Sequence, residues 1–364
     1  MAFVLSPRFL LRGFALFVGI SLLGYAGVLL YGNNLPAFVQ ALGHIHWGWV
    51  LAGVGLASMD WFGGGLRNWV LVRHVHPRPP LGGMILSGGM GAWAGYLTPL
   101  QSGAGPMMMY AMRRAGVPLP VAVTATLMSF IATVLFFAIA GPLAIVFGAG
   151  RSLGQHGNLL GLTLYDLFLA SLWLFVGIGV LLVVVIVFPG LVRDWLHRAA
   201  ERLSRRSRRV AERIEGFRRG IDEAHQSFLA FNSPRGWLAL GWATLLSGPS
   251  HANKLLAGYV ALRAVGIEAH FVDTLLLQTF ITFLLYFAPT PGGSGIAELL
   301  STAVMASVYV PKALAPLYTL VWRSILSYFT LGFGFLVFFR WVRRRIRTLD
   351  ELPEAESAVP AGTA

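Results

Sequence analysis

Five charged side chains lie inside long apolar segments of this chain, and they are its strongest candidates for chemistry: Asp60, Arg67, Lys254, Glu298 and Arg323. A charge at the centre of a bilayer is costly, so it normally faces a partner or water. Glu298 and Arg323 are natural partners for each other. Asp60 and Arg67 share a helix face but lie about 10 Å apart along its axis, so each needs another partner or a water-filled cavity. We predict that the five side chains bind the charges of a substrate.

Several of these charges also have a structural interpretation. Glu298 and Arg323 could form a buried ion pair that fixes helix packing and binds nothing else. Arg67 could lie near the cytoplasmic interface and extend its guanidinium to water. Lys254 ends a polar, proline-interrupted stretch that begins at Ser247, which favours interior water or an anionic ligand over a simple kink. The sequence alone leaves both interpretations open.

A Thr-Pro-x-x-Ser-Gly signature occurs twice in otherwise apolar sequence, at residues 98–103 and 290–295, which are 192 residues apart. Pro and Gly clusters break helices, and a broken helix at membrane depth normally lines a cavity. Free N–H groups at the start of the next half-helix would suit a phosphate. The positions predicted to bind substrate are Gly292, Gly293 and Gly295 in the second copy and Thr98, Ser102 and Gly103 in the first. Alternatively, small residues only let helices approach closely.

The composition indicates a polytopic helical membrane protein. A soluble protein of 364 residues does not combine 56% hydrophobic residues, 12% charged residues and a mean hydropathy of +0.68. The chain has no cysteine, which excludes disulfides, thiolate metal sites and a cysteine nucleophile. Its nine histidines show no metal-binding spacing, and it has no Walker, Rossmann or HExxH motif. We expect no metal and no cofactor.

Six apolar spans are long enough to cross a bilayer core, which needs about 20 residues: 11–31, 47–72, 119–148, 165–189, 237–263 and 313–340. Two further apolar stretches, 82–112 and 272–310, contain the repeated signature. The part before the first break is short, and Arg113 and Arg114 follow soon after, so re-entrant helical hairpins are the simpler interpretation. Two full crossings in each stretch would preserve the same topology and remain the alternative.

The arginines indicate which segments face the cytoplasm. They cluster before the first span, after the second, in the loop 190–236, which has eleven Arg against six acids, and in the tail 341–364. All four segments fall on one side if each hairpin returns to its starting side. The net charge of +13 is therefore attributed to membrane orientation, and we expect no nucleic acid as a partner.

The two halves then align as an inverted repeat. Residues 1–148 form the first repeat, residues 149–189 give a loop and the first helix of the second, and residues 237–340 complete it. The predicted fold is an all-α polytopic membrane protein with about six transmembrane helices and two re-entrant hairpins. Within the basic segment 190–236, residues 193–231 predict an amphipathic helix on an anionic lipid surface. A solvated cytoplasmic helix is the alternative.

The sequence around the second break resembles a known family. Residues 289–298, followed by Arg323 in a later helix, are similar to the Pro-x-Pro-Gly-Gly-x-Gly-x-x-Glu signature of the flippase-like membrane domain of lysylphosphatidylglycerol synthases and their bacterial and archaeal relatives. Residues 98–118 resemble the first motif of that family, and the likeness covers about residues 47–340. The first motif departs at residues 105–109, Gly-Pro-Met-Met-Met, where the family commonly has a Glu before its Pro and an Arg shortly after.

The resemblance implies a transporter, not an enzyme, that moves a lipid or lipid-linked amphiphile between the leaflets of a bacterial or archaeal plasma (inner) membrane. Glu298, Arg323 and Lys254 would handle headgroup charge in a polar pocket at the midplane. Both termini are expected in the cytoplasm. Nothing after Arg340 resembles the soluble aminoacyl-transferase domain of the bifunctional members, so no synthase activity is expected. The alternatives are a membrane enzyme acting on a lipid headgroup and a non-catalytic membrane scaffold.

Overall fold

The structure is a computed structural model, and it describes residues 7–32, 35–146, 158–159, 162–188, 190, 194–195, 197–198, 225–226, 228–286 and 288–350. Almost all of these residues are α-helical, which together with the apolar helices below confirms the predicted all-α membrane fold. The amphipathic helix predicted at 193–231 and the tail beyond residue 350 lie largely outside the described residues.

In the first half of the chain the helices are α1 (Pro7–Gly32), α2 (Leu35–Leu42), α3 (Trp47–Val75), α4 (Leu81–Tyr96), α5 (Ala104–Arg114) and α6 (Leu119–Val146). A 3₁₀ turn at Pro99–Gln101, here called the first turn, separates α4 from α5. Two short antiparallel strands, Asn158–Leu159 and Leu162–Thr163, precede the second half.

In the second half the helices are α7 (Leu164–Val187), α8 (Pro234–Ser250), α9 (Ala252–Ala264), α10 (Phe271–Tyr286), α11 (Ile296–Val308), α12 (Ala315–Arg323) and α13 (Phe329–Asp350). A 3₁₀ turn at Pro291–Gly293, here called the second turn, separates α10 from α11. A π-helical segment at Ser324–Tyr328 joins α12 to α13.

In the described part of the chain, three helices are long and apolar enough to cross a membrane: Leu10–Leu30, Leu119–Leu143 and Lys312–Arg340. Each coincides with a predicted span. A shorter apolar helical stretch, Leu172–Val184, lies within the predicted span 165–189. Helix α3 is continuous over the predicted span 47–72.

The predicted span 237–263 is divided into two helices, because the chain bends between α8 and α9 at the proline-interrupted stretch. The two helices nevertheless follow α3 in the opposite direction. The carbonyl of Ala230, before α8, accepts a hydrogen bond from the His74 ring at 3.0 Å. The carbonyl of Ala264, at the end of α9, accepts one from the His46 N–H at 2.9 Å. The bend therefore places the first turn of α9 beside the middle of α3.

Each predicted hairpin stretch folds back on itself. In the first, a Cβ built at Gly83 near the start of α4 would meet Ala115, which follows α5. In the second, Tyr309 after α11 contacts His270 and Asp273 at the start of α10. Helices α5 and α11 have 11 and 13 residues, fewer than the roughly 20 that a crossing needs. Re-entry into the bilayer and the inverted repeat stay predictions.

Three apolar clusters surround the two turns. One is formed by α9, α10, α11 and α12 around Phe280 and Trp322. Another is formed by α3, α5, α6 and α8 around Met112. The third joins α1, α4 and α13, where the Trp93 ring centre lies 5.1 Å from that of Phe335 and 5.0 Å from that of Phe338. The turns are therefore held between packed helices.

Helix α1 packs across both breaks with one narrow face. Its buried positions recur with a helical period: Leu10, Gly13, Phe17, Ser21, Gly24 and Val28. A Cβ built at Gly13 would meet the Leu97 carbonyl, and one built at Gly24 would lie 2.8 Å from the Gly295 Cα. The two glycines let α1 contact the backbone of each break directly.

We expect Gly24→Val to lower the melting temperature of the purified protein in detergent by several degrees, because overpacking a close contact costs about 1–3 kcal/mol. Gly19→Val on the same helix is the matched control, since a Cβ at Gly19 meets nothing within 4 Å. Differential scanning fluorimetry would measure both. Equal melting temperatures for the two variants would contradict the contact between α1 and the second break.

Candidate functional site

The two turns share an uncommon backbone conformation. The angles φ and ψ are 52° and 24° at Leu100 and 56° and 21° at Gly292. The next residues, Gln101 and Gly293, also have positive φ, 52° and 68°. Positive φ favours glycine, and each non-glycine residue there costs roughly 1–2 kcal/mol. The first turn therefore stores strain that the second turn avoids.

The two turns contact each other inside the protein. The Leu100 N–H donates to the Ala288 carbonyl at 3.3 Å, and a Cβ built at Gly292 would lie 2.8 Å from the Tyr96 carbonyl oxygen. The shift of 192 residues that relates the signatures also relates Tyr96 to Ala288 and Leu100 to Gly292. The contact is thus self-complementary, as it would be at a two-fold axis.

In the first turn, the N–H groups predicted to bind an anion already have partners. The Ser102 N–H donates to the Pro99 carbonyl at 3.1 Å, and the Gly103 N–H donates to Thr98 Oγ1 at 2.8 Å. The same hydroxyl donates to the Ala94 carbonyl at 2.9 Å. The predicted donors Ser102 and Gly103 are therefore not free, because the Pro99 carbonyl and the buried Thr98 side chain already accept from them.

In the second turn, two of the three predicted donors, Gly293 and Gly295, also have partners. The Gly293 N–H donates to the Thr290 carbonyl at 3.0 Å, and the Gly295 N–H donates to Glu298 Oε2 at 2.8 Å. The carboxylate lies at the start of α11, where unpaired N–H groups and the helix dipole favour negative charge. Glu298 itself therefore fills the position predicted for a phosphate.

Arg323 reaches the same break from α12. Its Nε lies 2.9 Å from Glu298 Oε1, and its Nη2 donates to the Gly292 carbonyl at 3.0 Å. The guanidinium also lies 5.1 Å from the centre of the Phe17 ring. Both charged side chains are almost fully buried, at 0% and 1% exposure. The predicted pair is formed, and it ties the second turn to α1, α11 and α12.

Asp60, buried in α3, meets the bend between α8 and α9. Its Oδ2 accepts hydrogen bonds from Asn253 Nδ2 at 2.9 Å and Thr330 Oγ1 at 3.1 Å, and Lys254 Nζ lies 3.7 Å from its Oδ1. Asn253 and Thr330 were not among the residues predicted to form the site. The polar stretch before Lys254 could have indicated Asn253, whereas Thr330 lies in an apolar span that gives no such signal.

Lys254 connects Asp60 with the contact between the turns. Its Nζ lies 5.9 Å from the centre of the Tyr96 ring, and Lys254, Tyr96, Gln101 and Gly292 line a pocket of about 20 Å³. That volume holds roughly one water molecule. A small pocket with both polar and apolar walls is present where the two breaks meet, but in this conformation it is too small for a lipid headgroup.

Arg67 lies apart from this group. Its Nη1 donates to Thr133 Oγ1 at 2.8 Å and to Ser247 Oγ at 3.3 Å, so the half-buried side chain joins α3 to α6 and α8. The predicted distance between Arg67 and Asp60 is consistent with their separate partners. Among the side chains that the structure describes, no group of three or more His, Asp or Glu is placed to hold a metal ion.

An apolar groove of about 670 Å³ lies between α3, α4 and α13. Large apolar side chains dominate its walls: Val54, Trp61, Phe62, Leu86, Phe333 and Leu336. Thr330 is also on the wall, and its hydroxyl donates to Asp60. The sequence did not predict this groove, because its residues have the composition of an ordinary lipid-facing surface.

Substitutions at equivalent positions in the two turns should change the free energy of unfolding by different amounts. We expect Gly292→Ala to lower the free energy of unfolding by at least about 1–2 kcal/mol, because it adds a Cβ at positive φ close to the Tyr96 carbonyl. Leu100→Gly should change it by less than about 1 kcal/mol, because relief of strain offsets the entropy cost of glycine. Chemical unfolding in detergent micelles would compare them, and a larger loss for Leu100→Gly would refute the assigned turn geometry.

The model of one protein family, described as the lysylphosphatidylglycerol synthase TM region, matches residues 12–334 of this chain. The match includes both turns, the Glu298–Arg323 pair, Asp60 and Lys254. A comparison with curated proteins found no match. The resemblance seen at the second break is thus confirmed over most of the sequence, and the chain belongs to the family of the lysylphosphatidylglycerol synthase TM region.

Proposed function

We propose that the protein translocates a lipid or a lipid-linked amphiphile between the leaflets of a plasma (inner) membrane. The observation that best supports this function is the continuity between the apolar groove and the buried charges. Thr330 on the groove wall donates to Asp60, Asp60 faces Lys254, and Lys254 lines the pocket where the turns meet. An amphiphile needs such a combination, an apolar surface for its chains and polar groups for its headgroup. Membership of a family named for a lipid synthase is consistent with a lipid ligand.

The contact between the two turns acts as the gate in this proposal. The pocket has room for roughly one water, so a headgroup enters only when the turns separate. Separation breaks the Leu100–Ala288 hydrogen bond, at a net cost of about 1 kcal/mol. Relief of strain at Leu100 and Gln101 offsets part of this cost. The closed and open states then lie close in free energy, as alternating access requires.

Lys254 is the proposed cation for the headgroup. Its side chain is 12% exposed and faces the pocket on a flexible stem, whereas Arg323 is held by Glu298 and Gly292. In this mechanism Glu298 and Arg323 fix the second turn and do not bind the headgroup directly. The sequence has no ATP-binding motif, so transport would use an ion gradient or the lipid gradient itself. No bond is made or broken, and the protein acts as a transporter and not as an enzyme.

We expect the reconstituted protein to accelerate the leaflet exchange of fluorescent phospholipids. Lys254→Met should slow the exchange of an anionic phospholipid at least tenfold, because a hydrogen bond to a charged group is worth about 1.5–3 kcal/mol. The other lysine, exposed Lys312, supplies the matched control, and Lys312→Met should keep the wild-type rate. A folded protein that exchanges no lipid faster than protein-free vesicles, with several headgroups tried, would contradict the proposed function.

Filling the groove should also slow exchange. Gly332 lies on the groove wall, and a Cβ built there meets nothing within 4 Å, so Gly332→Trp can be accommodated and would occupy the space proposed for an acyl chain. Gly19→Trp on exposed α1 is the control for adding a large ring. We expect a severalfold slower exchange for Gly332→Trp alone. Equal rates for the two variants would remove the groove from the translocation path.

A further inference from the structure

The two buried carboxylates among the described residues, Asp60 and Glu298, are held in different ways. Both oxygens of Glu298 have close donors in fixed positions, the Gly295 N–H at 2.8 Å and Arg323 Nε at 2.9 Å. Asp60 has neutral donors on Oδ2, and the cation that faces its Oδ1 is Lys254 at 3.7 Å, beyond hydrogen-bonding distance. The charge on Asp60 is therefore compensated by a group that can move.

Lys254 lies between two competing environments. On one side is the Asp60 carboxylate, and on the other is the small pocket that it shares with Tyr96, Gln101 and Gly292. The backbone of Lys254 is anchored, because its carbonyl accepts a hydrogen bond from Thr282 Oγ1 at 3.3 Å. A rotation of the side chain toward the pocket would therefore leave the backbone of α9 in place.

We propose that Asp60 takes up one proton when an anionic phosphate headgroup binds Lys254, and releases it when the headgroup leaves. This inference rests on the proposed function. The headgroup draws the ammonium away from Asp60 and leaves the carboxylate with Asn253 and Thr330, which are neutral. An uncompensated buried charge is expensive, so the carboxylate binds a proton from water at Oδ1. One negative and one positive charge enter together, and the net charge of the site is unchanged.

The other charged or titratable groups near this site are engaged elsewhere. On α3, Arg67 donates to Thr133 on α6 and lies 3.3 Å from Ser247 on α8. At the bend, the His251 ring is hydrogen-bonded through Nδ1 to the Ser247 carbonyl at 2.8 Å. On α12 and the π-helical segment, Arg323 holds Glu298 and Tyr328 packs edge-on against Phe17. Asp60 is therefore the carboxylate whose partner a headgroup can remove.

The first test measures protons directly. Mixed micelles of phosphatidylglycerol and detergent are added to the purified protein in weakly buffered detergent solution. A pH-sensitive dye then reports proton uptake. We expect about one proton per bound anionic lipid for the wild type, none with zwitterionic phosphatidylcholine, and none for Asp60→Asn with either lipid. Asp273→Asn, the same change at the start of α10, is the matched control and should keep the wild-type uptake. Uptake that persists in a folded Asp60→Asn variant would overturn the inference.

The second test needs no variant, and so it stands even if Asp60→Asn fails to fold. Reciprocal linkage requires that the affinity of the wild type for phosphatidylglycerol fall by up to tenfold for each unit of rising pH, while that for phosphatidylcholine stays constant. Equal pH dependence for the two lipids would overturn the inference. If leaflet exchange is normal but no proton is taken up, the inference fails and the proposed function stands. If the protein neither binds lipid nor accelerates leaflet exchange, the inference and the proposed function are both contradicted.

Discussion

The buried ion pair of Glu298 and Arg323 is the interaction on which the rest of the site depends. A helix break in hydrocarbon leaves backbone groups that cannot turn to water, so the protein itself must satisfy them. Glu298 accepts a hydrogen bond from the N–H of Gly295, and Arg323 donates one to the carbonyl of Gly292. Each of the two side chains also neutralises the charge of the other. The second turn is thereby fixed, and the carbonyl of Ala288 just before it holds the first turn. Removal of either charge would leave the other buried without compensation.

The described part of the chain contains two buried ion pairs with different geometries. In the Glu298–Arg323 pair, a planar guanidinium and fixed backbone partners define one geometry, which suits a structural role. In the Asp60–Lys254 pair, the ammonium is a point charge on a flexible chain beside open volume, which suits exchange of partners. Both pairs adjoin Gly292 in the second turn, so a rigid support and a cation on a flexible chain lie next to the contact between the turns.

Much of this arrangement could be predicted from sequence, because charges and Pro-Gly clusters within apolar spans are costly and therefore conspicuous. The positions of both breaks and the partnership of Glu298 with Arg323 followed from that cost alone. Glu298 at the third position of α11 also forms the glutamate half of a capping box, a signal that could have predicted its hydrogen bond with the Gly295 N–H. The groove and the hydrogen bond from Thr330 to Asp60 could not be predicted, because they depend on which distant helices pack together and their residues resemble any lipid-facing surface. A polar cluster in the sequence indicated the bend before α9. That the bend separates two helices depends on tertiary contacts, which the sequence does not show.

The π-helical segment at Ser324–Tyr328 sets the rotation of α13 relative to α12, which insertions or deletions in the segment would change. Arg323 and Thr330, on either side of it, serve different carboxylates, although residues seven apart in an uninterrupted α-helix would point almost the same way. The wider turn rotates α13 relative to α12 and lets one continuous helix reach both charges. Deletion of a single residue here would rotate everything that follows by about 100°. A change of length in a surface loop leaves the helices in register, whereas the same change in this segment would alter the angle between Arg323 and Thr330.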